Sequence, residues 1–167
     1  MGEYILAAIV EHKPGVLHKV SNMFRKRNFN IESITVGACE TGDIARMTIT
    51  VQGDEATVEQ VVKQLQKLVD VIKVSRLEPS RSVVRELALV KVYTADSKAK
   101  SDVVNYATIF RGRIVDVSRD SMIIEITGSP TKIDAFVELV KSYGIKEFAR
   151  TGVVAMSRGL KSLKVEE

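Results

Sequence analysis

His12 and His18 are the two histidines of this 167-residue chain, and Cys39 is its one cysteine. The histidines are six positions apart, which is not the i, i+4 spacing that lets a helix present two imidazoles to one metal ion. Cys39 runs into Glu40-Thr41-Gly42-Asp43, a loop pattern with no histidine close by in sequence. That reads as an ordinary thiol rather than an activated nucleophile. No Gly-x-Gly-x-x-Gly follows a strand pattern, and no Gly-Lys-Ser/Thr phosphate loop occurs. Ser157 leads into Arg158-Gly159 rather than sitting in a nucleophile elbow. Glu32, Asp54, Glu59, Asp70, Asp116 and Asp134 fall on faces expected to be solvated, so surface charge is the reading for them rather than a catalytic pair. This inventory suits a binding or regulatory module. The chain is expected to hold no catalytic residue, no metal and no cofactor of its own.

One segment has the physics of a small-molecule site. His12-Lys13-Pro14-Gly15-Val16-Leu17 reads as a tight turn from a strand into a helix. Backbone N–H groups are unpaired at a helix N-terminus and the helix dipole adds positive potential, so a carboxylate is well accommodated there. Gly15 lets a ligand approach the backbone, and Val16 and Leu17 offer apolar walls. Asn30, opening the next strand, presents both donors and acceptors. The same Pro-Gly pair also serves turns that bind nothing, so the signal taken alone is weak.

The elements that hold this turn follow from periodicity. Glu3 to Val10 reads as a strand, apolar on both faces. Pro14 and Gly15 open a helix whose stripe is Val16, Leu17, Val20, Met23 and Phe24, with Asn28 at its end. Asn30 to Ala38 and Ile44 to Gln52 form a hairpin about Gly42-Asp43. Val58, Val61, Val62, Leu65, Leu68 and Val69 make a second helical stripe, and Val71 to Leu77 a fourth strand. After the polar stretch Glu78 to Ser82 the β-α-β-β-α-β order recurs: Glu86 to Thr94, Lys100 to Phe110, Arg113 to Val117, Met122 to Thr127, Thr131 to Tyr143 ended by Gly144, and an extended run from Ile145 to Met156. Phe24-Arg25 and Phe110-Arg111 take the same place in the two repeats. The fold class is α+β, two ferredoxin-like βαββαβ domains in tandem. The expected division is 1-77, a linker at 78-85, a second domain at 86-157 and a mobile polar tail at 158-167.

Composition narrows the partners. Apolar residues make up 45% and charged residues 28%, the balance of a soluble globular chain. The net charge of +4 permits an acidic partner without demanding nucleic acid. Ferredoxin-like RNA binders stack bases on rings of their central strands, and here neither Ala45 to Thr50 nor Met122 to Ile126 carries one. His18, Lys19, Arg25, Lys26 and Arg27 read first as a solvated helix face and second as a docking surface for an acidic protein. No apolar run is long enough for a membrane span, no basic-then-apolar leader opens the sequence, and cysteine is scarce. A cytoplasmic location is expected.

Several segments together resemble a known family. Lys13 to Leu17, Asn30 to Val36, Arg46 to Ile49, Gln64 to Val71, Arg85 to Val92, Ile109 to Gly112 and Ala149 to Gly159 are similar, in order and along nearly the whole chain, to the acetolactate synthase (acetohydroxyacid synthase) small subunits. Those begin with an amino-acid-binding ACT domain followed by a C-terminal ACT-like domain. The resemblance implies a non-catalytic regulatory subunit. Its partner would be a large catalytic subunit that uses thiamine diphosphate, FAD and a divalent metal in branched-chain amino-acid synthesis. It would activate that partner and make it sensitive to feedback inhibition by valine.

The resemblance also implies a homodimer through the N-terminal domains, with the effector at their interface. His12, Lys13, Pro14, Gly15, Val16 and Leu17 would come from one protomer, and Asn30 and Ile31 from the other. The helix end would take the effector's carboxylate, the Asn30 carbonyl its ammonium, and Leu17 and Ile31 its side chain. Leucine or isoleucine could enter too, because one methylene is worth only about 1–3 kcal/mol. The family usually has Asn where His12 stands and often Gly where Asn28 stands. Effector affinity is therefore expected to change with pH over roughly 6–7, the ordinary histidine range. The second repeat has Asp96-Ser97-Lys98-Ala99-Lys100 in place of the Pro-Gly turn, so the effector site is expected in the first domain alone. The second domain either pairs with another copy or helps to activate the partner. A sensor of the same type acting on a different enzyme or a transcription factor is the alternative reading.

Overall fold

The computed structural model describes Gly2–Leu163. Its residues group into two units, one comprising the described parts of Met1–Val84 and Val153–Glu167, the other Arg85–Gly152. Each has the βαββαβ order of a ferredoxin-like domain. Among the described residues no helix is long and apolar enough to cross a membrane.

The first unit is a four-stranded antiparallel sheet in the order β2-β3-β1-β4. Its elements are β1 (Gly2–Glu11), α1 (Val16–Lys26), β2 (Ile31–Ala38), β3 (Ile44–Gly53), α2 (Glu55–Gln66) and β4 (Val71–Leu77). β1 and β3 pair along their whole length, from Gly2 opposite Gly53 to Glu11 opposite Ile44. Leu6, Ala8, Val10, Met47 and Ile49 pack on one face against Val16, Val20, Phe24, Val58, Val61 and Leu65 of the helices. The other face of β1 is buried as well, because Ile5 and Ala7 pack with Leu77, Val153 and Ala155. That explains why the strand is apolar at every position from Ile5 to Val10. Asp54 caps α2, its side chain accepting from the Thr57 amide at 2.8 Å.

Local chemistry moves several boundaries. Pro14 and Gly15 lie outside α1: Gly15 is the residue before the helix, left-handed at φ 87°, and Val16 is the first helical residue. Leu17 is exposed rather than part of the core stripe. At the other end Arg27 closes the helix and Asn28 is left-handed at φ 56°. The Asn28 amide donates to Arg25 O and the Phe29 amide to Phe24 O, with the two phenyl rings edge to face at 6.5 Å. These are the paired bonds and hydrophobic contact of a Schellman closure. α2 stops before Val69, which is 92% exposed in the following turn rather than part of a helical stripe.

The second unit contains most of β5 (Ser82–Tyr93), then α3 (Ser97–Ile109), β6 (Arg113–Val117), β7 (Ser121–Gly128), α4 (Pro130–Val140) and β8 (Ile145–Arg150). Its strand order is β6-β7-β5-β8. Ala88, Val90, Val92, Ile124 and Ile126 meet Val103, Ala107, Ile133 and Phe136 in its core. α3 starts three residues earlier than the apolar pattern suggests, because the Asp96 carboxylate caps it through the Ala99 amide at 2.8 Å. It closes as α1 does, with Arg111 at φ 55° and the Gly112 amide on Ala107 O. The two closures match Phe24 to Ala107 and Asn28 to Arg111, so pairing Phe24-Arg25 with Phe110-Arg111 is out by three residues. α4 ends at Val140, and Lys141–Tyr143 form a short 3-10 turn before Gly144.

The run Ile145 to Met156 is two strands, β8 and β9 (Val154–Ser157), divided where Gly152 turns to φ 81°. Val153 to Ser157, expected in the second domain, group with the first unit, although β9 takes β5 as its strand partner. Thr35 Oγ donates to Val153 O at 2.8 Å, Arg46 Nη2 to Ala155 O at 2.7 Å, and the Arg158 amide to Arg81 O at 2.8 Å. Within the described part of the expected tail, Leu163 packs beside Leu77, while Leu160 is exposed. Residues 164 to 167 of that tail lie outside the described residues.

Candidate functional site

α1 is the candidate's central element because, among the described residues, no side chain caps its start. Gly15 has no side chain to offer, and no acidic residue stands in the first turn. The Lys19 amide closes the first helical bond on Gly15 O at 3.0 Å. The amides before it have no partner inside the helix, and they carry the positive end of its dipole. Gly15 is required by its backbone: at φ 87° an L side chain is strained, although a Cβ there would meet nothing within 4 Å.

A cavity of about 330 Å³ opens at this turn. His12, Lys13, Pro14, Val16 and Leu17 line it, together with Val10, Glu11, Val36, Ala45 and Met47. Five of the eight expected site residues are thus gathered there, while Gly15 shapes the turn. The apolar wall from β3 and Val36 is not visible in the turn motif; strand pairing brings it in, with Val36 opposite Met47. The turn is pinned from beneath by the His12 amide donating to Asp43 O at 2.8 Å.

Lys13 is committed within the chain. Its ammonium lies 2.7 Å from Asp70 and also pairs with Glu11, while Lys19 holds the other Asp70 oxygen at 2.6 Å. Asp70 is 2% exposed, which corrects its reading as surface charge. The lysine bonds hold its carboxyl down at about 2, and its own bonds to Asp70 and Glu11 raise Lys13 to about 12. Lys13 therefore positions the turn. The sequence hid this because Asp70 and Lys13 are far apart in the chain and meet where the Glu11 amide bonds Asp70 O.

Asn30 and Ile31 sit elsewhere in the same chain. Ile31 pairs with Val51, whereas the turn lies beside Ala45. Six residue steps along the strand separate those positions, about 20 Å at roughly 3.3 Å per residue. Asn30 Nδ2 donates to Glu32 at 2.6 Å, which leaves its carbonyl as an acceptor.

Comparison with known proteins decides the family. Residues 6–73 match the model of the AHAS small subunit-like ACT domain, and residues 85–159 match that of the small subunit of acetolactate synthase. This chain belongs to the acetolactate synthase small-subunit family. It is 56% identical to a probable acetolactate synthase small subunit of Methanothermobacter thermautotrophicus over 96% of this chain and 95% of that one. It is 47% identical to the acetolactate synthase small subunit of Mycolicibacterium smegmatis, covering 93% and 91%. The crystal structure of the acetolactate synthase small subunit from Thermotoga maritima superposes with a TM-score of 0.89 at 46% identity, covering 95% and 99%. The turn and its cavity therefore lie in an ACT domain of a small subunit of this family.

Proposed function

We propose that this chain is the regulatory subunit of acetolactate synthase, that it activates the large catalytic subunit and that it confers feedback inhibition by valine. Thiamine diphosphate, FAD and the divalent metal belong to the catalytic subunit in this reading, and this chain contributes no catalytic residue. The observation that carries it is the uncapped start of α1 opening into an apolar cavity. A free branched-chain amino acid needs a carboxylate site and an apolar pocket, and Val16, Leu17, Val36, Ala45 and Met47 line such a pocket beside amides that α1 leaves without a helical partner.

The acceptor for the ammonium would come from a second copy. β2 pairs with β3 on one side only and forms an edge of its sheet. Two such edges meeting antiparallel about a two-fold axis would bring the Asn30-Ile31 end of one strand beside the Val36–Ala38 end of the other. The turn of one protomer would then face Asn30 of its partner across the interface, over a gap that one chain leaves at about 20 Å. An effector shared by two protomers stabilises the dimer by mass action. A catalytic subunit that accepts one dimer geometry better than another turns that into regulation, typically about 1–3 kcal/mol of coupling.

The test is thermal unfolding of the full chain against a panel of amino acids, followed by reconstitution with the catalytic subunit. Valine at a hundredfold over its dissociation constant is expected to add about 2.7 kcal/mol, with alanine and glutamate giving less. Absence of any shift would refute the effector site. Binding without activation of acetolactate synthase would favour a sensor for another enzyme or a transcription factor.

A further inference from the structure

A second cavity, of about 510 Å³, lies within the first unit, between its sheet and the segment that follows β9. That is the size range of small-molecule sites. Leu77, Met156 and Leu160 are among its apolar walls, and Arg46, Ser75 and Ser157 among its polar ones. It shares no residue with the cavity at the His12 turn.

Arg46 is the group that needs explaining. It projects from β3, where it stands opposite Ile9 and Gly37. Nη2 donates to Ala155 O at 2.7 Å. Among the described residues Arg46 forms no ion pair, and its Nε is buried without an acceptor. Burial pulls its pKa below the usual arginine value, Cys39 acting the other way. A half-buried guanidinium with a buried N–H left unused is costly, and such cations are normally paired with an acid or a ligand. The planar fork suits a carboxylate. Glu40, Asp43 and Lys161 also line the cavity, so with Arg46 its lining has no net formal charge, which favours a ligand with one negative charge over one with two.

We propose that this cavity is a second ligand site, in which Arg46 takes the carboxylate of a small monocarboxylic acid and Leu77, Met156 and Leu160 take its short apolar tail. The segment from Met156 to Leu163 forms the wall opposite the sheet, so occupancy would clamp that segment onto the first unit.

Isovalerate, which lacks an ammonium group, is the probe. Titrated calorimetrically into the full-length chain, it is expected to bind saturably with one site per chain. Arg46→Met is expected to weaken it roughly tenfold or more, the loss of a charge-assisted pair. Ser157→Leu fills the cavity while keeping the Arg46 bond to Ala155, and is expected to abolish binding with the chain folded. Val36→Asp, at the other cavity, should leave the isovalerate isotherm unchanged. No saturable binding at millimolar isovalerate overturns the proposal, as does binding that survives both Arg46→Met and Ser157→Leu. Isovalerate binding lost in Val36→Asp and displaced by valine also overturns it, because the acid would then occupy the turn. A negative result leaves the valine response of the wild-type chain as a separate measurement.

Discussion

Gly15→Ala isolates the backbone contribution to the turn. The glycine is held at φ 87°, and an added Cβ would meet nothing within 4 Å, so the substitution creates no clash. What remains is the cost of a left-handed alanine, about 1–2 kcal/mol. In a chain of this length 1 kcal/mol shifts the melting temperature by roughly 2–4 °C, so a fall of about 2–8 °C is expected. The matched control is Gly42→Ala, at φ 76° and also with open space around its Cβ. It should lose similar stability, but it lies in the hairpin turn and not at the start of α1. The variants should part company on valine. Relaxing residue 15 turns the first amides of α1 away from the carboxylate, and a hydrogen bond to a charged group is worth about 1.5–3 kcal/mol. Gly15→Ala should therefore raise the valine dissociation constant by about tenfold to a hundredfold, measured calorimetrically at a temperature where both variants are folded. Gly42→Ala should leave it unchanged. A Gly15→Ala chain that is destabilised as expected and still binds valine like wild type would refute the amide site.

The Asp70 cluster predicts an acid transition. A carboxyl lowered to about 2 contributes stability present above the ordinary aspartate value near 3.9 and lost as pH falls towards 2. The melting temperature should decline over that interval, and Asp70→Asn should flatten this part of the profile; an unchanged slope would show that the lysines do not stabilise the charge. Val36 is 46% exposed on edge strand β2, so Val36→Asp should change stability by less than about 0.5 kcal/mol. It should nevertheless abolish the valine shift by placing a negative charge beside the carboxylate site, and weaken self-association in sedimentation. Phe136 is fully buried in the second unit, and Phe136→Ala should cost about 3–5 kcal/mol. At a temperature where that variant stays folded its valine dissociation constant should match wild type, since the proposed site lies in the first unit.

The elements were legible because each strand and helix obeys its own period. Leu6, Ala8 and Val10 alternate in β1, and Val16, Val20, Met23 and Phe24 recur at helical spacing in α1. Capping was legible only in part. Asp96 carries α3 back three residues through one side-chain bond, which apolar periodicity cannot register. The placement of Val153 to Ser157 was hidden for a different reason. The segment keeps β5 as its strand partner, and its place with the first unit rests on Thr35 and Arg46, more than a hundred residues away, which hold Val153 and Ala155. At the site, the turn announced itself through Pro14 and Gly15. Its apolar wall and its Asp70 anchor are products of strand pairing, so no local motif records them.

That contrast bears on how the site can regulate. The turn residues are contiguous, and their backbone is fixed by the His12 bond to Asp43 O and by the Lys13 pair with Asp70, so half of the site is built before any ligand arrives. Asn30 is also fixed locally, by its bond to Glu32, but at the far end of β2. In the proposed dimer the free variable is therefore the meeting of two β2 edges, and a ligand that needs both halves would report on that meeting. Such a device has small intrinsic selectivity among branched side chains, because the pocket discriminates by single methylenes worth about 1–3 kcal/mol. Its response to concentration, by contrast, is set jointly by effector and protomer. The valine midpoint should accordingly fall as protomer concentration rises through the dimer dissociation constant and become constant above it. A midpoint independent of protomer concentration across that range would place the whole site within one chain and remove the role of Asn30.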